Sequence, residues 1–313
     1  SVFGEKANRV ANMLLSRGIR KGQKVAILLM NCLEWLPIYF GILKTGALAV
    51  PFNFRYSAEE IEYCADLAEV QVLVFGPEFI GRIESVAEKL SKGRLLIYVG
   101  DNCPTFAESY RELSADCSSA PPQVLSTDDD DGAIYFSSGT TGFPKGVMLT
   151  NYNVVNDGKC IGDRMGLSTA DRFMIHVPMF HCFGMVLSMT SCMTHGATLC
   201  PMPYFSAKVS LACINQERIT CFNGVPTMFI AMFNHPDYKK TDFSYMRTGI
   251  MAGSGCPPEL MRRAAQPDEM HMTDIVSVYG QTESAPGSTM SACGDPLDLR
   301  CNTVGYAFPH IEC

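Results

Sequence analysis

Short, continuous runs of apolar residues alternate with helical segments through most of this 313-residue chain, and this alternation most constrains its fold. The first run, V-A-I-L-L at residues 25–29, is typical of a parallel strand buried on both faces. Further strands are predicted at 47–52, 72–75, 133–136, 172–177, 198–201, 221–223, 248–252 and 275–279. Helices are predicted at 5–17, 34–44, 58–68, 152–165, 183–193, 208–217, 226–234 and 258–265. Strands and helices in this order indicate an α/β fold whose mainly parallel sheets are flanked by helices.

Two residues mark helix ends within this pattern. Gly18 follows the first helical segment and is a good C-terminal cap, because glycine adopts the left-handed conformation easily. Ser57 precedes the third segment and is its predicted N-cap.

A break in composition between residues 103 and 131 divides the alternation. It contains a Pro-Pro pair, several serines and four consecutive aspartates at 128–131. We interpret the acidic run as a solvated loop rather than a metal site. The length of the chain suggests two lobes. We therefore predict a first α/β lobe at 1–120, incomplete at its N-terminus, a linker at 121–132, a second lobe at 133–290 and the start of a further β subdomain at 291–313.

Composition excludes several classes of protein. The net charge is -7 and no basic stripe occurs, which argues against a nucleic-acid partner. The 14 cysteines show neither a C-x-x-C pair nor metal-ligand spacing, so we expect buried thiols in a reduced, cytoplasmic protein. The uncharged stretch 173–207 is interrupted by prolines, glycines and histidines. It therefore predicts a strand, a loop, a core helix and a second strand rather than a transmembrane segment.

Residues 135–147, Y-F-S-S-G-T-T-G-F-P-K-G-V, have the composition of a phosphate-binding loop. Glycines let backbone N–H groups approach an anion, Ser and Thr hydroxyls donate to phosphate oxygens, and a lysine adds positive charge. The common spacing G-x-x-x-x-G-K-[ST] is absent, and on composition alone an ordinary surface loop is an equal alternative. The candidate phosphate ligands are Ser137, Ser138, Gly139, Thr140, Thr141, Gly142 and Lys145.

The string S-S-G-T-T-G-x-P-K-G resembles the signature loop of the adenylate-forming family, which includes acyl-CoA synthetases, aryl-CoA ligases, luciferases and peptide-synthetase adenylation domains. Three further strings follow in the family's order: P-M-F-H-C-F-G at 178–184, M-A-G-S-G at 251–255 and Y-G-Q-T-E at 279–283. The stretches T-H-G-A at 194–197 and G-V-P-T-M at 224–228 are most similar to medium-chain or broad-range fatty acyl-CoA synthetases. The resemblance implies the large, two-lobed N-terminal domain of that family.

The resemblance also assigns roles to the motifs. The glycine-rich loop holds the β- and γ-phosphates of ATP, His181 lies between nucleotide phosphate and acyl carboxylate, and Tyr279 stacks on adenine. Thr282 binds the α-phosphate, while Glu283 and Thr140 bind Mg²⁺, a cation that prefers oxygen ligands. The implied nucleotide-binding residues of the later motifs are Gly253, Ser254, Gly255, Ser277, Val278, Tyr279, Gly280 and Thr282. The implied catalytic residues are Lys145, His181, Thr282 and Glu283.

The residues alone leave simpler interpretations open for two of these motifs. His181 could be a hydrogen-bonded histidine in an apolar segment, as histidine is often partly buried. The glycines at 253–255 could form a strand-to-helix turn, with Pro258 at the first helical position.

Loop 180–184 contains no acidic residue, whereas amino-acid-activating relatives carry an aspartate there that pairs with the substrate amine. This difference indicates a carboxylic acid without an α-amino group. The predicted acyl-binding residues are His181, Phe183, Val225, Pro226 and Met251. An apolar, methionine-rich pocket is adaptable and fits a fatty or aromatic carboxylate.

The resemblance therefore implies ATP-dependent activation of a hydrophobic acid to acyl-AMP, followed by thioester formation with CoA. ATP, Mg²⁺, CoA and a small carboxylic acid are the implied ligands, and a homodimer is compatible with the sequence. Two alternatives stay open: an adenylating enzyme that delivers to a carrier-protein thiol or an amine, and a non-catalytic nucleotide- or acyl-binding protein. The family's T-G-D motif, hinge and mobile C-terminal domain do not occur in residues 1–313. We expect this chain alone to bind nucleotide weakly and to have little ligase activity.

Overall fold

The computed structural model describes residues 1–123, 126–137 and 142–313. It contains two compact units, Ser1–Tyr152 and Asn153–Cys313. The boundary falls later than the predicted linker at 121–132, because the strands on both sides of the glycine-rich loop belong to the sheet of the first unit.

The first unit is built on a sheet with the strand order β5-β4-β3-β1-β2-β6-β7 in its described residues. Neighbouring strands are parallel except β6 and β7, which are antiparallel. The strands are β1 (Lys24–Leu28), β2 (Leu48–Pro51), β3 (Val70–Phe75), β4 (Leu95–Tyr98), β5 (Glu108–Ser109), β6 (Asp131–Ser137) and β7 (Lys145–Thr150). The helices are α1 (Val2–Ser16), α2 (Trp35–Lys44), α3 (Ala58–Leu67), a 3₁₀ turn (Pro77–Phe79), α4 (Ile80–Glu84), α5 (Ala87–Leu90) and α6 (Tyr110–Ala115).

Local sequence explains where these elements begin and end. Both predicted helix ends are confirmed: Gly18 follows α1 with a φ of +92°, and the Ser57 hydroxyl accepts the Glu60 N–H at 3.2 Å. The Glu60 carboxylate accepts the Ser57 N–H at 2.8 Å, which completes a capping box. Central strands such as β1 are buried because helices cover the sheet, and Phe52 and Phe75 lie fully buried in its core.

The second unit has the strand order β14-β13-β12-β11-β10-β8-β9 in its described residues. The five strands from β8 to β12 are parallel, and β13 and β14 extend the sheet in antiparallel fashion. The predicted further subdomain at 291–313 therefore contributes its strand to this same sheet. The strands are β8 (Arg172–Ile175), β9 (Thr198–Pro201), β10 (Cys221–Phe222), β11 (Thr248–Met251), β12 (Asp274–Gly280), β13 (Gly287–Met290) and β14 (Tyr306–Ala307).

Helices surround the second sheet, and several match the predicted segments closely. They are α7 (Asn151–Met165), which crosses the unit boundary, α8 (Cys182–Gly184), α9 (Ser191–Thr194), α10 (Ala207–Glu217), α11 (Pro226–Phe233), α12 (Pro258–Ala265) and α13 (Leu297–Asn302), with 3₁₀ turns at Tyr238–Lys240 and Thr282–Ser284. None of the helices in the described ranges is both long and apolar enough to cross a membrane.

The predicted single helix at 183–193 is instead interrupted by a π-helix, Met185–Thr190, between α8 and α9. Side chains explain the change. The Thr190 hydroxyl donates to the Met185 carbonyl at 2.9 Å, and the Asn223 amide donates to the Leu187 carbonyl at 2.9 Å. These side-chain bonds occupy carbonyls that a regular helix uses for its own ladder, and such wide turns are frequent at functional sites.

Candidate nucleotide and acyl site

The glycine-rich loop connects two antiparallel neighbours of the first sheet. Ser137 ends β6, Lys145 begins β7, and the two residues pair directly across the strands. The Lys145 side chain is exposed, and Gly142 has a φ of +102°, which favours glycine. Ser138, Gly139, Thr140 and Thr141 lie outside the described residues, so their phosphate and magnesium contacts stay predictions.

An aromatic contact holds the end of this loop. The Phe143 ring lies 4.9 Å from the Tyr63 ring on α3, measured between centroids. No motif in the sequence marks Tyr63, because this contact joins residues that are far apart in the chain. The pair fixes the loop end to a helix of the same unit.

In the second unit, three predicted motifs follow three parallel strands. Residues 178–184 follow β8, residues 251–255 overlap the end of β11, and residues 279–283 follow from β12. Carboxyl ends of parallel strands lie at one edge of a sheet, where α/β proteins bind ligands. The turn at 224–226 follows β10 and adds the predicted acyl-binding residues to the same edge.

His181 is the N-cap of α8, and its Nδ1 accepts the Phe183 N–H at 3.1 Å. A neutral imidazole that accepts at Nδ1 carries its proton on Nε2, so the ring presents one N–H donor. The side chain reaches solvent, yet desolvation by the surrounding atoms lowers the pKa of His181. His181 is therefore a neutral hydrogen-bond donor at neutral pH.

Gly184 closes the loop that carries His181. A Cβ atom at this position would lie 2.2 Å from the Pro178 carbonyl oxygen, which is far inside van der Waals contact. Only glycine fits this close approach, so the backbone of residues 178–184 depends on it.

Predicted nucleotide and acyl residues meet at Gly253. This residue has a φ of +86°, and an added Cβ would lie 2.9 Å from Val225 Cγ1 and 4.0 Å from Phe183 Cε1. Val225 and Phe183 are half-buried, and Ser254 and Gly255 are exposed. Pro226 and Met251 are instead buried, with the Met251 side chain in the hydrophobic core beside the sheet. The apolar surface at this edge is thus formed by Phe183 and Val225.

The motif at 277–283 has a buried start and an exposed end. The Ser277 hydroxyl donates to the Thr303 carbonyl at 2.6 Å, so it braces the chain. Val278 is half-buried, whereas the Tyr279 side chain is 58% exposed and its ring is accessible for stacking on a base. A Cβ at Gly280 would lie 1.7 Å from the Pro286 carbonyl oxygen, so this position also requires glycine.

Two of the motifs contact each other through Thr282. Its hydroxyl lies close enough to the thiol of Cys182, the residue after His181, to lower the pKa of that thiol against the larger, opposing effect of burial. Burial raises the pKa of Cys182 well above its ordinary value, so this thiol stays protonated. The loop that carries His181 and the turn that carries Thr282 and Glu283 therefore form one surface.

Asp157 on α7 also reaches this region and was missed by the sequence analysis. Its carboxylate accepts the Gly287 N–H at 3.0 Å, just after the turn that carries Glu283, and it raises the pKa of Cys182 electrostatically. Burial raises the pKa of Asp157 to about 7. No local signal marks a polar residue on a helix whose partner is 130 positions away.

The oxygen ligands available here fit a Mg²⁺ ion that is bound mainly through the phosphates of a nucleotide. Glu283 offers an exposed carboxylate, and Mg²⁺ commonly uses one or two protein carboxylates together with water and phosphate oxygens. In the described part of the chain, no group of three or more His, Cys, Asp or Glu side chains could hold a metal ion by itself.

Fold and motifs together are those of the N-terminal domains of adenylate-forming proteins. The chain belongs to the family of AMP-binding enzymes, whose model matches residues 2–313. The predicted α/β class with mainly parallel sheets is confirmed.

Individual relatives agree with this assignment. YngI of Bacillus subtilis, named as a putative acyl-CoA synthetase, is 36% identical over 340 residues, which cover 99% of this chain and 60% of YngI. The mouse mitochondrial medium-chain acyl-CoA ligase ACSF2 is 32% identical, with 98% of this chain and 54% of ACSF2 covered. Among solved structures, the anthranilate CoA ligase AuaEII in complex with anthranoyl-AMP superposes with a TM-score of 0.91 at 26% identity, over 98% of this chain and 59% of AuaEII. The chain thus spans just over half the length of these relatives.

Proposed function

We propose that this chain supplies the ATP- and acyl-binding part of an enzyme that activates a hydrophobic carboxylic acid as acyl-AMP and transfers the acyl group to CoA. The observation that carries the proposal is the meeting of three motifs at one sheet edge, joined by the contact between Thr282 and Cys182. The names of the relatives, acyl-CoA synthetase and acyl-CoA ligase, support the same activity.

The chemistry requires a positioned site rather than a protein nucleophile. The substrate carboxylate attacks the α-phosphorus of ATP and releases pyrophosphate, and AMP then leaves when a thiol attacks the acyl carbon. Thr282 would donate to the α-phosphate, Lys145 would bind the outer phosphates, and His181 would donate its Nε2 proton to an oxygen of the acyl group. Magnesium held by Glu283 would neutralise phosphate charge. Such pre-oriented donors stabilise charge that develops in the transition state.

The proposed substrate class rests on the surface around Phe183 and Val225. Both side chains are apolar and half-buried, and Gly253 packs against them, so a fatty or aromatic acid is favoured. The lack of an acidic residue in loop 180–184 does not exclude amino acids as substrates, because Asp157 brings a carboxyl group close enough to act on Cys182. Amino acids therefore belong in any substrate panel.

The test is carboxylate-dependent exchange of pyrophosphate into ATP by the full-length protein. The panel holds medium-chain, long-chain, aryl and amino acids. Activated acids are then offered CoA, a carrier protein or an amine, which separates the proposed CoA ligase from the two other acceptors. If no carboxylic acid supports exchange, the proposal is wrong and the non-catalytic alternative is favoured.

Variants test the assigned residues in the same assay. Lys145→Ala and Thr282→Ala should lower kcat/KM for ATP, whereas Lys92→Ala should not. Lys92 is an exposed lysine of the first unit that precedes β4 at the amino end of the strand, away from the glycine-rich loop in the sheet order. Unchanged kinetics in both site variants would show that the roles assigned to Lys145 and Thr282 are wrong. The compartment stays a prediction as well, since the name of the mouse relative places that protein in mitochondria.

A further inference from the structure

The turn that carries Thr282 and Glu283 is braced from within. The Ser284 hydroxyl accepts the Gln281 N–H at 3.2 Å and donates to the Pro286 carbonyl at 2.8 Å. These bonds close residues 281–286 on themselves, so the turn moves as one piece when its ends move.

One end of this turn is tied to a long helix by a single carboxylate. Gly287 follows the turn, and its N–H donates to Asp157 Oδ2 at 3.0 Å. An added Cβ at Gly287 would lie 2.7 Å from Asp157 Oδ1, so the carboxylate lies directly against this backbone. Asp157 belongs to α7, a helix of 15 residues, which provides a rigid support.

The titratable groups that surround Asp157 do not stabilise a negative charge on its carboxylate. The titratable groups that face it are Cys160 on its own helix and Cys182 on α8, whose thiols have raised pKa values, mainly through burial. Glu283 acts on the same Cys182 and adds negative charge. Among the residues that the structure describes, no lysine, arginine or histidine pairs with Asp157. A half-buried carboxylate without a cation is a pattern typical of functional sites.

We propose that Asp157 is a positioning residue for adenylation, whose ionised carboxylate holds the Gly287 N–H and thereby sets Thr282 and Glu283 against the loop that carries His181. This inference rests on the proposed function. The amide at Gly287 is held more strongly by a charged acceptor than by a neutral one. Burial places the ionisation of Asp157 near pH 7, so the fraction of correctly held turns increases as the pH rises through neutrality.

The experiment compares the full-length wild type with Asp157→Asn, which keeps the size and one acceptor but has no charge at any pH. At pH 8, kcat/KM for ATP in pyrophosphate exchange should fall by about 10-fold, because a neutral acceptor holds the Gly287 N–H less strongly than a charged one. The wild-type rate should rise with pH through about pH 7. This rise, the pH limb of the profile, should be absent from the variant. A residue with a merely structural role would not produce such a difference between the two pH profiles.

A matched control comes from the same helix. Asp163→Asn removes another carboxylate of α7, one that pairs with Lys159 at 2.7 Å and His195 at 3.1 Å. This variant should retain the pH limb. Equal rates and equal pH profiles for Asp157→Asn and the wild type would overturn the inference.

Binding of AMP separates this inference from the proposed function. Calorimetry at pH 6 and pH 8 should show an affinity for AMP that rises with pH in the wild type and not in Asp157→Asn, even if no tested acid supports exchange. An unchanged AMP affinity in the variant would count against the positioning role. Absence of exchange from the wild type with every acid would instead count against the proposed activity.

Discussion

Asp157→Asn should make the protein more stable at alkaline pH while making it a poorer enzyme. Desolvation raises the pKa of Asp157 from its ordinary 3.8 to about 7, against the opposing effect of the Gly287 N–H. The folded state therefore binds this proton more tightly than the unfolded state. Stability falls as the pH rises from about 4 to 7, because the unfolded chain releases the proton first.

The size of the effect follows from the shift. Three pKa units correspond to about 4 kcal/mol at pH 8, an upper limit for a side chain with partial access to water. By the same relation, the stability difference between variant and wild type should grow by up to about 2.5 kcal/mol between pH 5 and pH 8. The amide escapes this penalty because it never ionises.

The assay is urea unfolding at several pH values, with hydrogen exchange of peptides from 151–165 to isolate the second unit from the first. Wild type and Asp157→Asn should be most alike near pH 4, and the variant should be more stable at pH 8. A difference in the free energy of unfolding that does not change with pH would refute the reasoning, because the carboxyl would then titrate equally in both states.

Three further substitutions test contacts within the individual units. Gly280→Ala should weaken AMP binding and lower the free energy of unfolding by about 1–3 kcal/mol through overpacking. Gly294→Ala, where an added Cβ meets nothing within 4 Å, should do neither. Equal AMP affinities of the two variants would contradict the predicted clash. Asp171→Asn should cost about 3 kcal/mol in urea unfolding because it removes the buried carboxylate that Arg247 contacts at 2.6 Å and leaves Arg247 with the more distant carboxylate of Asp274, at 3.7 Å. The loss should be larger at pH 7 than at low pH, since desolvation, the largest single effect, is outweighed by the hydrogen bonds from Arg247, Thr220 and Ser168 together, which lower the pKa of Asp171. A stability difference that stays the same at low pH would argue against the pair. Ser57→Ala should cost about 1 kcal/mol by removing the cap of α3, and unchanged hydrogen-exchange protection in the first turn would show that the cap is dispensable.

The sequence predicted most strands of both sheets but missed β4, β5, β7, β13 and β14. Burial alone does not separate the two groups, since the missed β4 is buried and the predicted β9 is partly exposed. Strands β1, β3 and β11 were found because helices cover both faces and leave uninterrupted apolar runs. Strand β7 was missed because it begins with the exposed Lys145 and Gly146 and pairs only with β6 in the described residues. That pairing also explains the shifted unit boundary, since the loop joins two strands of one sheet.

The candidate site shows a similar division. Motif strings identified the backbone turns correctly, as the close approaches at Gly184 and Gly280 show. They did not reveal which side chains turn inward: Met251 packs in the core, and the Ser277 hydroxyl is engaged by Thr303. The motif strings also did not identify Asp157, because its relevance depends on tertiary contacts alone.

The wide turn at Met185–Thr190 has a consequence for how this site can change over time. A π-helical turn holds one residue more than the equivalent α-helical turn, so it behaves as an accommodated insertion. Because the wide turn already absorbs that residue, removing it would let a regular α-helix form there while the segments on either side kept their places. Only the side chains of the turn itself, which begins two residues after Phe183, would be rearranged. Gain or loss of a single residue here would therefore remodel this part of the chain without displacing His181 or the strand β9 that follows.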